Sequence, residues 1–334
     1  IKCAVLAARL GMERAGREVP IITQVTMETT GTMLVGTEIA AALPALEALD
    51  VDVIGLNCAT GPDLMHEHVR YLGQNATRFV SVLPNAGLPR NVNGVATYDL
   101  TPEALADFQE RFIRDYGVSL VGGCCGTTPE HIAAVRKRLD SGAAAAVRPR
   151  PDYDRAPGQV TSLYIAVPLA QDPGPLIIGE RSNANGSKKF REQLLREDFE
   201  GLVEVGCEQV AEGAHLVDVC VAYVGRDEVR DMREVLRRYT TQITLPLMID
   251  TTQLDVLESA LQQLGGRAVI NSVNLEDGEE KADRICQLAR DYGAALVAFP
   301  ELGLSAYSCD DLFHQRALLD GCEEALAELL ALSA

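Results

Sequence analysis

The chain has 334 residues, 47% of them hydrophobic, enough for one large core or two modest ones. Its 30 basic residues stand against 48 acidic ones, a net charge of -18, which argues against a partner as negative as nucleic acid. No apolar run approaches the roughly 20 residues of a membrane helix, and nine cysteines without a visible secretory leader fit reduced thiols in a cytoplasmic protein rather than a disulfide framework.

The first residue is Ile, and residues 2–11 read at once as helix, so the chain is expected to begin inside a fold. Short apolar strands are then predicted over 19–25, 52–57, 78–84 and 118–122, followed in turn by helices over 37–49, 62–72, 101–116 and 129–139. Strands and helices alternating at this spacing mean parallel strands joined by crossover helices.

The rhythm breaks over 140–174, where prolines stand at 149, 151, 157, 168 and 173. This stretch is expected to be an interdomain linker, either an ordered strap or a loose tether. From 175 the alternation resumes, with strands over 176–180, 215–219, 245–250, 268–272 and 294–299 and helices over 190–212, 228–239, 254–264 and 279–292. The remainder, 300–334, is a divergent tail with a last helix over 310–332.

An eight-stranded β/α barrel takes about 250 residues, so two complete barrels do not fit. Four strands, a proline-rich linker and five more strands describe an α/β chain of two (β/α)8 TIM-barrel-type domains, each incomplete. The expected limits are 1–139 for the rear half of one barrel, 140–174 for the linker and 175–299 for the front half of another.

Three cysteines share a position type. Cys58 ends the strand Val53-Ile-Gly-Leu-Asn57, and Cys124 with Cys125 end the run Leu120-Val-Gly-Gly123. In a barrel the rim at the strand C-termini is where chemistry sits, and alternate strands contribute to one layer. If the four strands are the last four of a barrel, Cys58 ends the sixth and the pair ends the eighth, and both sets aim at one point. Three thiols there suit a zinc site with one position left for a substrate. Adjacent cysteines cannot both point inward from an extended strand, so the backbone must turn, which Gly122, Gly123 and Gly126 permit. Cys207, Cys286 and Cys322, on helices, are read as core filler, and His66, His68 and His131 as helix surface.

The segments Gly55-Leu-Asn-Cys-Ala-Thr-Gly-Pro62, Pro84-Asn-Ala-Gly-Leu-Pro89 and Gly122-Gly-Cys-Cys-Gly-Thr-Thr-Pro-Glu-His131 together resemble the homocysteine-binding barrel of the cobalamin-dependent methionine synthase family. The resemblance implies that Cys58, Cys124 and Cys125 hold zinc, that homocysteine sulfur arrives as a further ligand, and that these cysteines thereby activate the methyl acceptor. A free thiol, with a pKa near about 8.5, is mostly protonated at neutral pH, whereas a zinc-bound one is largely thiolate. The glycine-rich substrate motif that opens this barrel in the family is not found before Pro20.

The second group of strands ends in acids and amides: Glu180 with Asn183, then Asp218, Asp250, and Asn271 with Asn274. Such groups suit a flat, nitrogen-rich heterocycle, since a carboxylate accepts two hydrogen bonds from an amino-pyrimidine edge and amides both donate and accept. Asp250 has the alternative reading of a helix cap, in Asp-Thr-Thr. The runs Gly179-Glu-Arg-Ser-Asn-Ala-Asn-Gly-Ser187, Asp218-Val219, Pro246-Leu-Met-Ile-Asp-Thr-Thr252 and Ile270-Asn-Ser-Val-Asn274 are similar to the folate-binding barrel of the same family, a relative of dihydropteroate synthase. By that resemblance Asp218, Asp250 and Asn271 grip the pterin of 5-methyltetrahydrofolate, with Glu180 and Asn183 shaping the pocket. Two departures stand out: Cys220 takes the place of an expected Asn, and the three barrel strands due after Phe299 are replaced by the tail.

The resemblance therefore implies a methyltransferase that moves a methyl group from 5-methyltetrahydrofolate through cobalamin to zinc-bound homocysteine. No Asp-x-His-x-x-Gly cobalamin loop occurs, so methylcobalamin is expected to be held by a module in another polypeptide or in further sequence. The competing expectations are a non-catalytic truncated remnant and a dihydropteroate-synthase-like enzyme using the second group alone.

Overall fold

The computed structural model describes residues 1–142, 158–274, 277–298, 316, 320–325 and 327. Within them lie two α/β domains with parallel sheets, joined by a linker, each a partial TIM-barrel-like fold. The expected tail helix falls mostly outside the described residues.

The first domain runs α1 (Lys2–Ala15), β1 (Ile22–Val25), α2 (Ile39–Glu47), β2 (Val53–Asn57), α3 (Pro62–Asn75), β3 (Phe79–Leu83), β4 (Arg90–Val92), β5 (Val95–Thr97), α4 (Pro102–Tyr116), β6 (Leu120–Val121) and α5 (Pro129–Asp140). Its sheet has the parallel order β1-β2-β3-β6. Side chains alternate along each strand, so Ile54 and Leu56 on β2 and Val80 and Val82 on β3 face outward, where they pack with Met65, Val69 and Leu72 of α3 and Phe112 of α4. The intervening residues Gly55, Asn57 and Ser81 are left on the inner face. Helix α4 shows how local chemistry sets the ends. Thr101 accepts a hydrogen bond from Ala104 N at 3.2 Å, Pro102 opens the first turn, and Gly117 at φ 65 closes the last.

The antiparallel hairpin β4–β5 was not among the expected strands. Its sequence signal is Asn93-Gly94, a two-residue turn in which both residues take positive φ, 53 and 84.

The linker contributes β7 (Gln159–Thr161) and β8 (Ala166–Pro168), an antiparallel hairpin, so residues 158–168 form an ordered strap; 143–157 lie outside the described residues. The second domain follows with β9 (Ile178–Asn183), α6 (Lys188–Leu195), α7 (Phe199–Ala211), β10 (Leu216–Cys220), α8 (Glu228–Gln242), β11 (Leu247–Asp250), α9 (Leu254–Gln263), β12 (Val269–Asn271), α10 (Glu279–Asp291) and β13 (Leu296–Ala298). All five strands of its sheet are parallel and lie in chain order from β9 to β13. The single helix expected over 190–212 is two helices. Glu197 breaks it in the left-handed region at φ 57, and Asp198 caps the second piece by accepting from Gly201 N at 3.0 Å.

The strap is the floor of the second domain. Val160 and Val167 pack in one apolar cluster with Leu216, Met248 and Val269, the lower inward residues of three adjacent strands. The same hairpin reaches the first domain, where Glu38 N donates to Tyr164 O at 3.1 Å, while Tyr164 Oη donates to Thr241 O at 2.8 Å in the second. Lys2 adds a further tie by donating to Tyr292 O at 3.0 Å. Gly266 allows the strap to dock, because a Cβ there would lie 2.0 Å from Thr161 O. Replacing Gly266 by Ala is expected to lower stability by about 1–3 kcal/mol, the usual cost of overpacking, read as a reduced urea midpoint at unchanged slope.

Among the described residues neither sheet closes on itself. β1 and β6 are edges of one sheet, β9 and β13 of the other. Ile22 on β1, Leu120 on β6 and Ile178 on β9 are correspondingly exposed.

Candidate functional site

In the first domain β2 and β6 are separated by β3, yet their ends converge. Cys58 Sγ lies 3.6 Å from Cys125 Sγ, Cys125 Sγ lies 3.9 Å from Cys124 Sγ, and all three sulfurs fall within 4.8 Å of one another. A tetrahedral metal with sulfur bonds of about 2.3 Å requires sulfur–sulfur edges of roughly 3.8 Å. The donor set therefore fits a thiophilic metal ion such as zinc, supplying three of its usual four ligands.

The backbone is built to bring the sulfurs together. After β2 the chain turns through Cys58 at φ 61 and Ala59 at φ 53, two non-glycine residues in the left-handed region, each costing about 1–3 kcal/mol. That turn is held by Cys58 N donating to Leu83 O at 3.1 Å and Thr60 N to Cys58 O at 2.7 Å. The loop after β3 then ties to the cysteine pair: Cys124 N donates to Pro84 O at 2.8 Å, Ala86 N to Cys125 O at 2.9 Å, and Cys125 N to Asn85 Oδ1 at 3.0 Å. Gln109 of α4 braces the approach by donating to Gly122 O at 2.8 Å.

The thiols are electrostatically unequal. Burial opposes ionisation of Cys58, but hydrogen bonds from the Ala59 backbone, Cys125, Cys124 and Asn85 hold it below the usual thiol range. Burial and hydrogen bonds with Cys58 and Cys125 push Cys124 up to about 11. Without a cation, Cys58 is favoured as a thiolate and Cys124 resists a second charge, the behaviour expected of thiols clustered to share a metal.

Two residues beside the sulfurs were not singled out in the sequence. Asn85 is one. Tyr98 is the other: its ring lies over Gly126, where an added Cβ would be 2.2 Å from Tyr98 Cγ, and its hydroxyl is raised by burial and by its charge and hydrogen-bond contact with Cys125. Asn85 had a signal, its place in the Pro84-to-Pro89 run; Tyr98 had none. Gly126 has φ 77 as well, so Gly126→Ala is expected to displace the Cys125 turn and weaken zinc binding by about tenfold or more, measured by competition with a chromophoric chelator.

His131 is not helix surface. It is buried, its Nδ1 engages Thr128 N at 3.1 Å in a capping box, and its Nε2 is 2.8 Å from Leu100 O. A histidine three residues after a Thr N-cap takes the role usually held by Glu or Gln. His66 and His68 are half-buried, His66 Nε2 lying 3.0 Å from Tyr116 Oη. The core-filler reading also fails for Cys207, which is exposed, while Cys286 and Cys322 are half-buried.

In the second domain the polar residues form the layer above the strap. Asp218, Asp250 and Asn271 each stand two residues beyond Leu216, Met248 and Val269, and so share their inward face. Asn183 Nδ2 donates to Asp250 Oδ2 at 3.1 Å, and Asn271 Nδ2 to Asp218 Oδ1 at 3.4 Å. Asp218 is buried, whereas Asp250, Asn183 and Asn271 are half-buried and Glu180, on the edge strand β9, is exposed. Glu180 still acts on the pair, since its charge raises both carboxyls. The cap reading of Asp250 is removed: α9 starts from Gln253, and Asp250 bonds across the sheet.

Burial and the charge of Asp250 raise Asp218 to about 7; burial also raises Asp250, against hydrogen bonds from Cys220 and Asn183. Two adjacent carboxyls that both resist ionisation can share a proton, one then donating and the other accepting.

The model of the homocysteine S-methyltransferase family matches residues 1–139, and that of the pterin binding enzymes matches residues 179–304. Methionine synthase of Mycobacterium tuberculosis is 51% identical over 301 residues, covering 89% of this chain and 25% of that protein. The Mycobacterium leprae methionine synthase is 50% identical over 304 residues, again covering 89% of this chain and 25% of the relative. The chain is homologous to methionine synthases. It spans about a quarter of the length of these curated relatives. The first domain thus resembles methyltransferases and the second resembles pterin binding enzymes, both of them enzyme families. Among solved structures, dihydropteroate synthase from Xanthomonas albilineans overlays with a TM-score of 0.23 at 12% identity, covering 93% of this chain and 94% of that one, too distant a fit to inform the site.

Proposed function

We propose that this chain carries the zinc and homocysteine site of a cobalamin-dependent methionine synthase, together with the front half of its folate site. In this reading a methyl group passes from 5-methyltetrahydrofolate to cobalamin and then to homocysteine, giving methionine. The supporting observation is the meeting of three sulfurs from two non-neighbouring strands within 4.8 Å. The proposed division is a rear half-barrel over 1–139, a linker over 140–174, a front half-barrel over 175–299 and a divergent tail over 300–334.

Cys58, Cys124 and Cys125 would hold zinc. When bound, zinc lowers the pKa of a coordinated thiol, so that homocysteine is presented as a nucleophile at neutral pH. The chain's own part is to keep the three sulfurs at ligand spacing and leave the fourth ligand to homocysteine. Below them the inner face is polar: Gln24 Nε2 donates to Ser81 Oγ at 2.7 Å, and Thr26 Oγ1 lies 3.4 Å from Asn57 Oδ1. In the second domain Asp218, Asp250 and Asn271 would hold the pterin edge, with Glu180 and Asn183 at its side. The polar layer would share the proton that pterin N5 needs as its methyl group leaves.

Methylcobalamin would come from a module outside this chain. The eight free cysteines among the described residues accord with a reducing, cytoplasmic setting. No described helix is long and apolar enough to cross a membrane.

The test is to load the chain with Co2+ and add homocysteine. A change in the thiolate-to-cobalt absorption is expected, followed by methionine formation when methylcobalamin is supplied. Metal binding with no response to homocysteine would favour a non-catalytic remnant, a reading supported by the exposed edges of β1, β6 and β9. A dihydropteroate-synthase-like enzyme would instead form product from a pterin pyrophosphate, and leaves the sulfur cluster without a role.

A further inference from the structure

Cys220 stands inside the second polar layer, at the place where the family resemblance leads one to expect Asn. Strand register pairs Cys220 with Asn183 on β9 and Asp250 with Asn271 on β12. Asp218 lies one inward step lower on the same strand as Cys220. The thiol is only 4% exposed. Its sulfur is approached by two donors, Asn185 Nδ2 at 3.9 Å and the backbone N–H of Ala222, and its own hydrogen-bond contact is with the Asp250 carboxylate. Both of those donors use the sulfur as an acceptor, and the S–H is the group that can donate to Asp250.

The charges that bear on Asp218 are those of Asp250 and Glu180, and the charge that bears on Asp250 is that of Glu180; the amides facing the two aspartates are Asn183 and Asn271, with Asn185 facing Cys220. Two carboxylates in one poorly hydrated layer do not both ionise readily, and the donors that reach each of them bias which one does: Asn271 donates to Asp218, and Asn183 and the Cys220 thiol to Asp250. Resting on the pterin-site reading above, we propose that Cys220 is a positioning residue whose thiol proton holds Asp250 as the ionised acceptor and leaves Asp218 to carry the proton in the site.

The electrostatics agree with this division. Burial and the neighbouring charge of Asp250 push the Cys220 thiol up to about 12, so it remains a donor throughout the neutral range, while Asp218 is raised to about 7. A protonated Asp218 beside an ionised Asp250 offers one donor and one acceptor, matching a pterin edge that carries a carbonyl oxygen and ring nitrogens as acceptors and an amino group as donor. An ordinary reactive cysteine would need exposure and a lowered pKa, and Cys220 has neither.

The experiment is a carbon-13 NMR titration of aspartate carboxyls in the full chain without ligand, with Cys220→Ala, Cys220→Val and Cys220→Ser beside the parent. In the parent, Asp250 is expected to titrate below Asp218. Ala and Val remove the donor and should raise the Asp250 midpoint by about one pH unit, closing the gap to Asp218; Ser retains an O–H and should restore it. Val fills the space, being somewhat larger than Cys, so it serves if the cavity left by Ala prevents folding. An Asp250 midpoint unchanged in folded Ala or Val protein overturns the proposal. Calorimetry with 5-methyltetrahydrofolate separates the two levels. No binding by the parent would overturn the pterin reading and with it the role in the site, whereas binding with an unshifted titration would overturn Cys220 alone.

Discussion

Cys124→Ser is expected to abolish stoichiometric zinc while leaving the affinity for 5-methyltetrahydrofolate unchanged. The serine oxygen is a harder and more weakly bonding donor than a thiolate, and two sulfurs do not satisfy a zinc ion that expects four ligands. Loss of a mere supporting hydrogen bond costs about 10–100-fold in metal affinity, so loss of a ligand should exceed that range. The structural cost should be small, because Cys124 is half-buried at the rim and its backbone bonds to Pro84 and Thr127 do not involve the sulfur. Metal analysis of purified protein, with circular dichroism as a check on folding, reads both. Equal loss of zinc and of folate binding would mean general unfolding, and the assignment of Cys124 as a ligand would then lose its support.

Asp250→Ala is expected to do the reverse. A hydrogen bond to a charged group is worth about 1.5–3 kcal/mol, roughly a 10- to 150-fold loss of 5-methyltetrahydrofolate affinity, while zinc content holds. The same substitution removes the charge that helps raise Asp218. Asp218 should then titrate at lower pH than in the parent protein. The sign for stability follows. A carboxyl raised when folded binds its proton more tightly there than in the unfolded chain, so stability falls as pH rises from the unfolded aspartate value of 3.8 toward about 7. Without Asp250 that fall should be shallower. Urea midpoints measured across this window would show it, and parallel curves for parent and variant would count against any coupling between the two aspartates.

Much of the architecture was legible because its signals are local. Apolar strands bounded by Gly, Pro or Asn, and helices opened by Thr101-Pro102 or Thr128-Pro129, carry their own start and stop chemistry. The four-plus-five division of strands followed from that alternation. The errors have equally local causes. Residues 190–212 hold one continuous helical pattern, and only the cap Asp198 marks the break at Glu197. The hairpin β4–β5 consists of two three-residue strands that are exposed on both faces, so no apolar alternation announced them; Asn93-Gly94 was the one clue.

His131 shows a different limit. Its position suggested solvent, but burial depends on what packs over a helix start, and here that is the segment around Leu100. The strap over 158–168 is a similar case: proline spacing did not distinguish a tether from an ordered piece, and the difference lies in contacts with Leu216, Met248 and Val269 far along the chain.

Which residues sit at strand ends, and that three of these are thiols in one group and acids or amides in the other, was decided by the amino-acid sequence alone, through periodicity and turn chemistry acting over a few residues. That Cys58 and Cys125 come within 3.6 Å across an intervening strand, and that Cys220 lies against Asp250, only the tertiary structure decided. Distances between strands, burial, and the unequal acidity of neighbouring groups are set by the packing of whole sheets and helices, and no short stretch of chain contains them.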